Sequence, residues 1–262
     1  MSAEDEARAV VRLLWRAHVA DETRRGPRQR LTVDDVVDAA VEMADRDGLG
    51  SLSVRTVSAS LGMKPMSFYT YVPSKDALVA LMVDAVAAQD EPFDRGKPLR
   101  ARLTWIAESV RDELIRHPWL LDASSWRQVT GPHRLRRYER QLEQLVDTGL
   151  SDLDSDRVIS TLNAFAVGNA RETLDAQRTP TESTLTDSQW WNIVGPALSE
   201  VMPHHDFPLA GRVGAHVGEL FQAPGDPTGA FAFGLDRLLD GIEEFTDHWT
   251  HRNPSQRSPD RP

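Results

Sequence analysis

The chain has 262 residues, 40% hydrophobic and 27% charged, with a net charge of -10, which suits a globular protein and not one that coats nucleic acid over its whole surface. It contains no cysteine, which removes disulfides, thiol catalysis and Cys-based zinc sites. No run approaches the roughly 18 apolar residues of a membrane span, and no apolar leader core follows the acidic opening Glu4-Asp5-Glu6, so a cytoplasmic protein without membrane contact is expected.

In chain order, Val10, Val11, Leu14 and Trp15 predict a short amphipathic helix over residues 4–19. The stretch "TRRGPRQRL" at 23–31 carries Arg24, Arg25, Arg28 and Arg30 and no acid. Val33, Val36, Val37, Ala40, Val41 and Ala44 then repeat at helical spacing, with Thr32 as N-cap, Asp34 and Asp35 at the positive end of the helix dipole, and Gly48 and Gly50 at the close. Ser53 caps a short helix with Val54, Val57 and Leu61 inward, broken by Gly62. Pro65 opens a third helix expected to reach about Val72, and Ser74 caps a fourth with Leu78, Leu81, Met82, Ala85 and Val86 inward. Residues 90–98 read as a linker. Further helices follow around Leu103 to Leu114, Leu135 to Leu145, Val158 to Thr173 and Leu235 to Trp249. Trp190, Trp191, Ile193, Val194 and Leu198 fall in the stretch 186–202, and residues 203–227, rich in Pro and Gly, are expected to be loop with one or two helical turns. No alternating strand pattern occurs, so the fold class is all-α.

Two short helices joined by a tight Gly turn over 53–72 have the spacing of a helix-turn-helix, which lays its second helix in the major groove of DNA. Between Gly48 and Lys75 the only charged side chains are Arg55, Lys64 and Lys75. A surface that meets phosphates excludes carboxylates and gains from a few fixed cations. Ser67, Tyr69, Thr70 and Tyr71 add hydroxyls that contact phosphates and base edges. Phe68 reads as core. An Arg arm such as Arg28 and Arg30 reaches a minor groove or adjacent phosphates when it precedes such a unit, and is otherwise a solvated linker.

The segment "LTVDDVVDAAVEMADRDGLGSLSVRTVSASLGMKPMSFYTYVPSKDALVALMVDA" resembles the DNA-binding domain of TetR-family transcriptional regulators, its aromatic element reading Phe68-Tyr69-Thr70-Tyr71-Val72 with Lys75 following. Three later pieces, "RHPWLL", "GPHRLRRYERQLEQLVDTGLS" and "FAFGLDRLLDGIEEF", resemble the C-terminal domain of the tetracycline-repressor-like branch. The resemblance implies a homodimeric, ligand-released repressor of double-stranded operator DNA. It puts the family's DNA-contacting positions on Arg55, Pro65, Met66, Ser67, Tyr69 and Lys75; Lys64, Thr70 and Tyr71 join them on the reading above. The recognition helix departs from the family by opening Lys64-Pro65-Met66, which favours apolar contacts with thymine methyls. The expected division is an N-terminal extension and Arg-rich arm (1–30), a helix-turn-helix domain (31–75), a ligand-binding and dimerisation domain (76–252) and a disordered tail (253–262).

In the larger domain, aromatic residues could line an apolar cavity with amide anchors on the 158–176 helix. The candidate ligand contacts are Trp105, Trp126, Asn163, Phe165, Asn169 and Trp190, against the alternative that aromatic residues at helical spacing are packed core. The ligand expected is a small, largely apolar inducer. The histidines, including His204 and His205, show no ligand-pair spacing, so neither metal nor cofactor is expected. Ala164 and Gly168 on the 158–176 helix, with Gly234 and Gly241 on the final helix, allow the close helix approach a symmetric dimer needs; the resemblance places the interface on the same two helices. No nucleophile elbow, His-Glu-x-x-His pair or phosphate loop supports an enzyme.

Overall fold

The computed structural model describes residues 3–18, 31–89, 93–123, 129–203 and 205–252; Arg28, Arg30, Trp126, His204 and the 253–262 tail lie outside them. Among the described residues there are twelve α-helices and no strand.

The DNA-binding part is laid down by its caps. Helix α1 (Ala3–Leu14) precedes it, ending before the predicted residue 19 in a turn where the His18 amide donates to the Trp15 carbonyl at 2.8 Å. Helix α2 (Val33–Asp47) starts in a reciprocal capping box: the Asp35 amide donates to Thr32 Oγ1 at 3.1 Å, and the Thr32 amide donates to the Asp35 carboxylate at 2.6 Å. Hydrogen bonds from the Thr32 side chain and then its backbone hold the Asp35 carboxyl below its ordinary range. Helix α3 (Val54–Ser60) repeats the device with Ser53 and Thr56, a hydroxyl standing in for the usual acid and keeping the segment free of carboxylates. The turn into α4 passes through Gly62 at φ 64°, a left-handed conformation that glycine adopts without a Cβ penalty.

Helix α4 (Pro65–Phe68) is shorter than the expected run to Val72. Beyond Phe68 the chain continues in tight turns, the Thr70 amide donating to the Ser67 carbonyl and the Tyr71 amide to that of Phe68. Aromatic and β-branched residues from Tyr69 to Val72 lose side-chain freedom in a helix, and Pro73 pushes the residue before it into an extended conformation. Helix α5 (Lys75–Val86) begins where Ser74 Oγ accepts from the Ala77 amide at 3.1 Å.

Seven helices form the remainder: α6 (Leu99–Arg116), α7 (Leu120–Ala123), α8 (Pro132–Glu143), α9 (Asp152–Glu182), α10 (Asp187–Val201), α11 (Pro208–Phe221) and α12 (Pro227–Arg252). The expectation of loop over 203–227 fails at α11, a helix of 14 residues. Its glycines are contact points and not breakers. A Cβ on Gly218 would sit 1.6 Å from the Trp191 ring, and one on Gly211 would sit 2.8 Å from the Met202 methyl, so α10 and the residue that ends it seat large side chains on the bare backbone of α11.

Two apolar cores result. One gathers Val36, Val57, Phe68, Leu78 and Met82 and runs on into Leu114, Trp119, Leu120 and Ala170, so the DNA-binding helices share a core with α6, α7 and α9. The other packs α6, α9 and α12 through Leu103, Ile106, Ile159, Leu162, Leu235 and Leu239.

Polar contacts reinforce the first junction. Asp45 Oδ1 on α2 accepts from His117 Nδ1 and Trp119 Nε1, both at 2.7 Å. Trp15 Nε1, just after α1, donates to the Thr130 carbonyl at 3.2 Å. Buried Asp84 on α5 accepts the first amides of α8, from Arg134 at 3.0 Å and His133 at 3.4 Å, capping that helix from a neighbouring one. Gly131 leaves room for this carboxylate, since a Cβ there would lie 2.3 Å from Asp84 Cγ. Gly131→Ala should therefore push the start of α8 off α5 and cost about 1–3 kcal/mol, as overpacking does, read as a lowered urea midpoint. An unchanged midpoint would mean that the cap is not held tightly.

Candidate DNA-binding face and ligand cavity

The helix-turn-helix sorts its residues by side. Phe68 and Val72 are fully buried, and Tyr71 is half-buried against the same core. Arg55, Lys64, Pro65, Ser67, Thr70 and Lys75 are exposed, together with Met66 at 78% and Tyr69 at 52% exposure. Exposing Met66 on the four-residue helix and Tyr69 just past its end forgoes burial that either could find in a core, which suits a surface waiting for a partner. The Tyr69 ring stands edge-on to Phe68 at 5.7 Å, so its position is fixed from beneath. Hydroxyls, an apolar Met and three cations on a face without carboxylates can contact phosphates and base edges together.

The second feature is a cavity of about 540 Å³ between α5, α6, α7, α8 and α9. Val83, Val110, Leu114, Leu120, Leu135 and Val167 supply its apolar walls. Glu113, Arg134, Arg137, Tyr138, Gln141 and Asn163 supply its polar ones. Arg137 grips Glu113 through two parallel bonds of 2.6 and 2.5 Å. Tyr138 donates to Asp156 at 2.8 Å, and burial, then that bond, pushes the phenol's pKa up. Gln141 is 3% exposed, yet its Nε2 has no hydrogen-bond partner, and the buried Oδ1 of Asn163 has none either. Buried polar atoms in folded chains are almost always bonded, so these two remain open to a partner that enters the hollow.

The candidate ligand residues scatter. Asn163 lines the cavity. Trp105 stacks on Phe93 at 5.6 Å and borders an adjoining hollow of about 380 Å³ that shares Glu113 and Arg137 with the first. Phe165 stacks on Phe231 at 5.4 Å within the α9–α12 packing. Asn169 is buried and committed, accepting from Arg111 Nε and donating to the Pro227 carbonyl, both at 2.7 Å. Trp190 is 38% exposed on α10, beside Trp191. The polar residues of α8 went unremarked in the sequence, although Arg134, Arg137, Tyr138 and Gln141 recur at three- and four-residue steps on one face of that helix.

Among the described residues no group of three or more His, Asp or Glu side chains is placed to hold a metal, and no helix is long and apolar enough to cross a membrane. On α9, Ala164 and Gly168 are exposed, with open space above Gly168; on α12, Gly241 is likewise open, beside exposed Phe233 and Phe245. Gly234 instead packs within the chain, where a Cβ would meet the Phe165 ring at 2.7 Å.

Comparison with known proteins agrees with this geometry. Residues 36–82 match the family model for bacterial regulatory proteins of the tetR family, and residues 91–246 match that for the tetracyclin repressor-like C-terminal domain. The HTH-type transcriptional repressor DrrR1 of Streptomyces coeruleorubidus is 35% identical over 92% of this chain and 87% of its own length. The class E tetracycline repressor protein of Escherichia coli is 24% identical over 85% of this chain and 95% of its own. In fold, the chain resembles ActR of Streptomyces coelicolor in its complex with actinorhodin, with a TM-score of 0.67 at 23% identity over 83% of this chain and 99% of that one.

Proposed function

This chain belongs to the TetR family of bacterial regulatory proteins, DNA-binding regulators of transcription and not enzymes, and on that premise we propose that it is a homodimeric repressor of a palindromic operator, released by a small, largely apolar molecule. The observation that carries the ligand half is the 540 Å³ cavity with the orphaned amides of Gln141 and Asn163, within the size range of small-molecule sites. DrrR1 is named a repressor and ActR was solved with a small molecule bound, which supports the reading. Gln141 and Asn163 are the hydrogen-bonding contacts, and Val83, Val110, Leu114 and Val167 enclose the ligand's body. Val83 belongs to α5, the helix that follows the recognition element, so a molecule that fills the cavity presses on the DNA-binding part directly. It shifts the operator equilibrium by its difference in affinity for the two arrangements, for which a coupling of about 1–3 kcal/mol is typical.

The DNA contacts are Arg55, Lys64, Pro65, Met66, Ser67, Tyr69, Thr70 and Lys75, with the hydroxyl of half-buried Tyr71 and the Arg28 and Arg30 arm beside them. Dimerisation runs through α9 and α12, whose exposed small residues and exposed Phe233 and Phe245 offer a self-complementary surface.

Fluorescence anisotropy on the intergenic DNA beside the protein's own gene, at two salt concentrations and against a scrambled duplex, tests the proposal. Tight binding to one short palindrome is expected. Tyr69→Ala and Lys75→Ala should each weaken it about tenfold without lowering the melting temperature, since both side chains lie outside the core. Equal, salt-governed binding to both duplexes would sink the assignment.

A further inference from the structure

We propose that the α10–α11 hairpin is an interface element, whose outer face packs against a second copy of this chain and carries a large share of the homodimer's stability. The proposal rests on the homodimer read above and extends its surface beyond α9 and α12. The hairpin is built inside out. Small residues lie at its centre, where Gly218 receives the Trp191 ring and Gly211 the Met202 methyl. Large apolar residues lie on the far sides. Trp190, Ile193 and Val201 recur at helical steps on one side of α10, and Leu209, Val213 and Leu220 on the side of α11 opposite Gly211 and Gly218. All six are exposed, from 38% at Trp190 to 77% at Val201. No residue of α10 is buried, and on α11 only Gly218 is. The body of the same chain therefore leaves this face uncovered.

Among the described residues, nine of the seventeen large hydrophobic side chains left exposed lie between Trp190 and Phe221. At roughly 100 Å² each, they exceed the few hundred Å² that a monomeric protein leaves in a patch, and they match the about 800 Å² per partner of a standard interface. Helices α9 and α12 fall short of that by themselves: among their described residues the large hydrophobics exposed are Leu153, Phe233 and Phe245. The hairpin is inserted between these two helices, with Thr186 capping α10 soon after Glu182 closes α9, and Phe221 ending α11 shortly before Pro227 opens α12. A two-fold contact through α9 and α12 thus continues onto its roots. The charge of the hairpin also favours a like surface. The charged side chains of α10 and α11 are Asp187, Glu200, Arg212 and Glu219, with His216 beside them. Charge so sparse suits the core of a homodimer interface, whereas anionic lipid and nucleic acid call for clustered Lys and Arg.

The chain has no cysteine, so Val213→Cys gives a single attachment point for the polarity-sensitive dye acrylodan. The labelled full chain is diluted from micromolar to nanomolar concentration while its emission and its sedimentation are followed. Emission should be blue-shifted in the dimer and move to longer wavelength over the same range in which the dimer dissociates. Ile193→Glu combined with Leu209→Glu, in the same labelled chain, should weaken the dimer about a hundredfold by placing carboxylates in an apolar contact. Circular dichroism should stay unchanged, since neither side chain is buried. Emission that stays blue after dissociation means that the hairpin is covered by its own chain, and overturns the proposal. Emission that stays red in an intact dimer overturns it too. A dimer indifferent to the double variant but broken by Gly168→Arg on α9 overturns the proposal and leaves the α9–α12 reading standing. A chain monomeric at every concentration overturns the homodimer reading itself. A blue shift produced by phosphatidylglycerol vesicles or by DNA, and not by concentration, identifies a different partner and overturns the proposal.

Discussion

Phe68→Ala is expected to cost about 3–5 kcal/mol and to melt the DNA-binding part of the molecule, the usual outcome for a large aromatic truncated inside a core. The side chain is fully buried on a helix of only four residues, so that helix has no propensity of its own to fall back on. Phe68 ties α4 to the Val36, Val57 and Met82 core, and the amides of Tyr71 and Val72 both bond to its carbonyl. A loss of this size is a large share of the roughly 5–15 kcal/mol that holds an ordinary domain folded. Denaturant unfolding followed by circular dichroism should show a first transition moved to lower denaturant, with operator binding lost alongside it. Tyr69→Ala, one residue further on, should leave the transition in place and weaken binding alone. If the two variants behave alike, the division of this helix into a buried and a DNA-facing side is wrong.

Which side of this segment is buried and which is exposed could be read from the sequence because every constraint in the segment is local. Thr32, Ser53 and Ser74 each cap the helix they precede, Gly62 sits in the left-handed turn, and Phe68 is core. The end of α4 was misplaced by about four residues because helical spacing of apolar residues persists through tight turns that are no longer α-helix. Helix α11 was hidden for a different reason. Glycine and proline are read as breakers, but Gly211 and Gly218 answer the bulk of Met202, just past α10, and of Trp191 within it, a need that appears only when the two segments are packed.

The same limit governs the cavity. Its wall comes from α5, α6, α7, α8 and α9, segments spread from Val83 to Val167, and no local spacing marks them as neighbours. Aromatic residues were the natural candidates, yet Phe165 is spent on the packing of α9 against α12. Arg134, Arg137 and Glu113 look in sequence like any solvated helical face. They become notable only when the fold turns them inward beside Gln141 and Asn163.

Asp45→Ala should be the most damaging change at the junction between the two functional parts, costing about 2–5 kcal/mol, because it strips two buried donors of one shared acceptor. Asp45 Oδ1 receives both the His117 Nδ1 and the Trp119 Nε1 bonds, and a carboxylate only accepts, so His117 carries a proton on Nδ1. His117 and Trp119 are 5% and 2% exposed, but Asp45 itself is exposed, so water that enters in its place offsets part of the loss and puts the cost toward the lower end of that range. The other ring nitrogen of His117 is buried without a hydrogen-bond partner, so the loss of Asp45 would leave both ring nitrogens without a protein partner. Asp45→Asn separates geometry from charge. Its single carbonyl oxygen can stand where Oδ1 stands and accept both bonds, losing only the added strength of an ionised acceptor, about 1 kcal/mol. Urea unfolding should therefore rank the proteins wild type, then Asn, then Ala, with Trp119 emission moving to longer wavelength in the Ala variant as water reaches the indole. Because α2 carries the acceptor and the segment between α6 and α7 carries both donors, the Ala variant should also transmit less of the sensor domain's state to the DNA-binding face. Equal midpoints for all three proteins would show that the junction is held by the shared apolar core around Leu114 and Leu120 and owes nothing to this carboxylate.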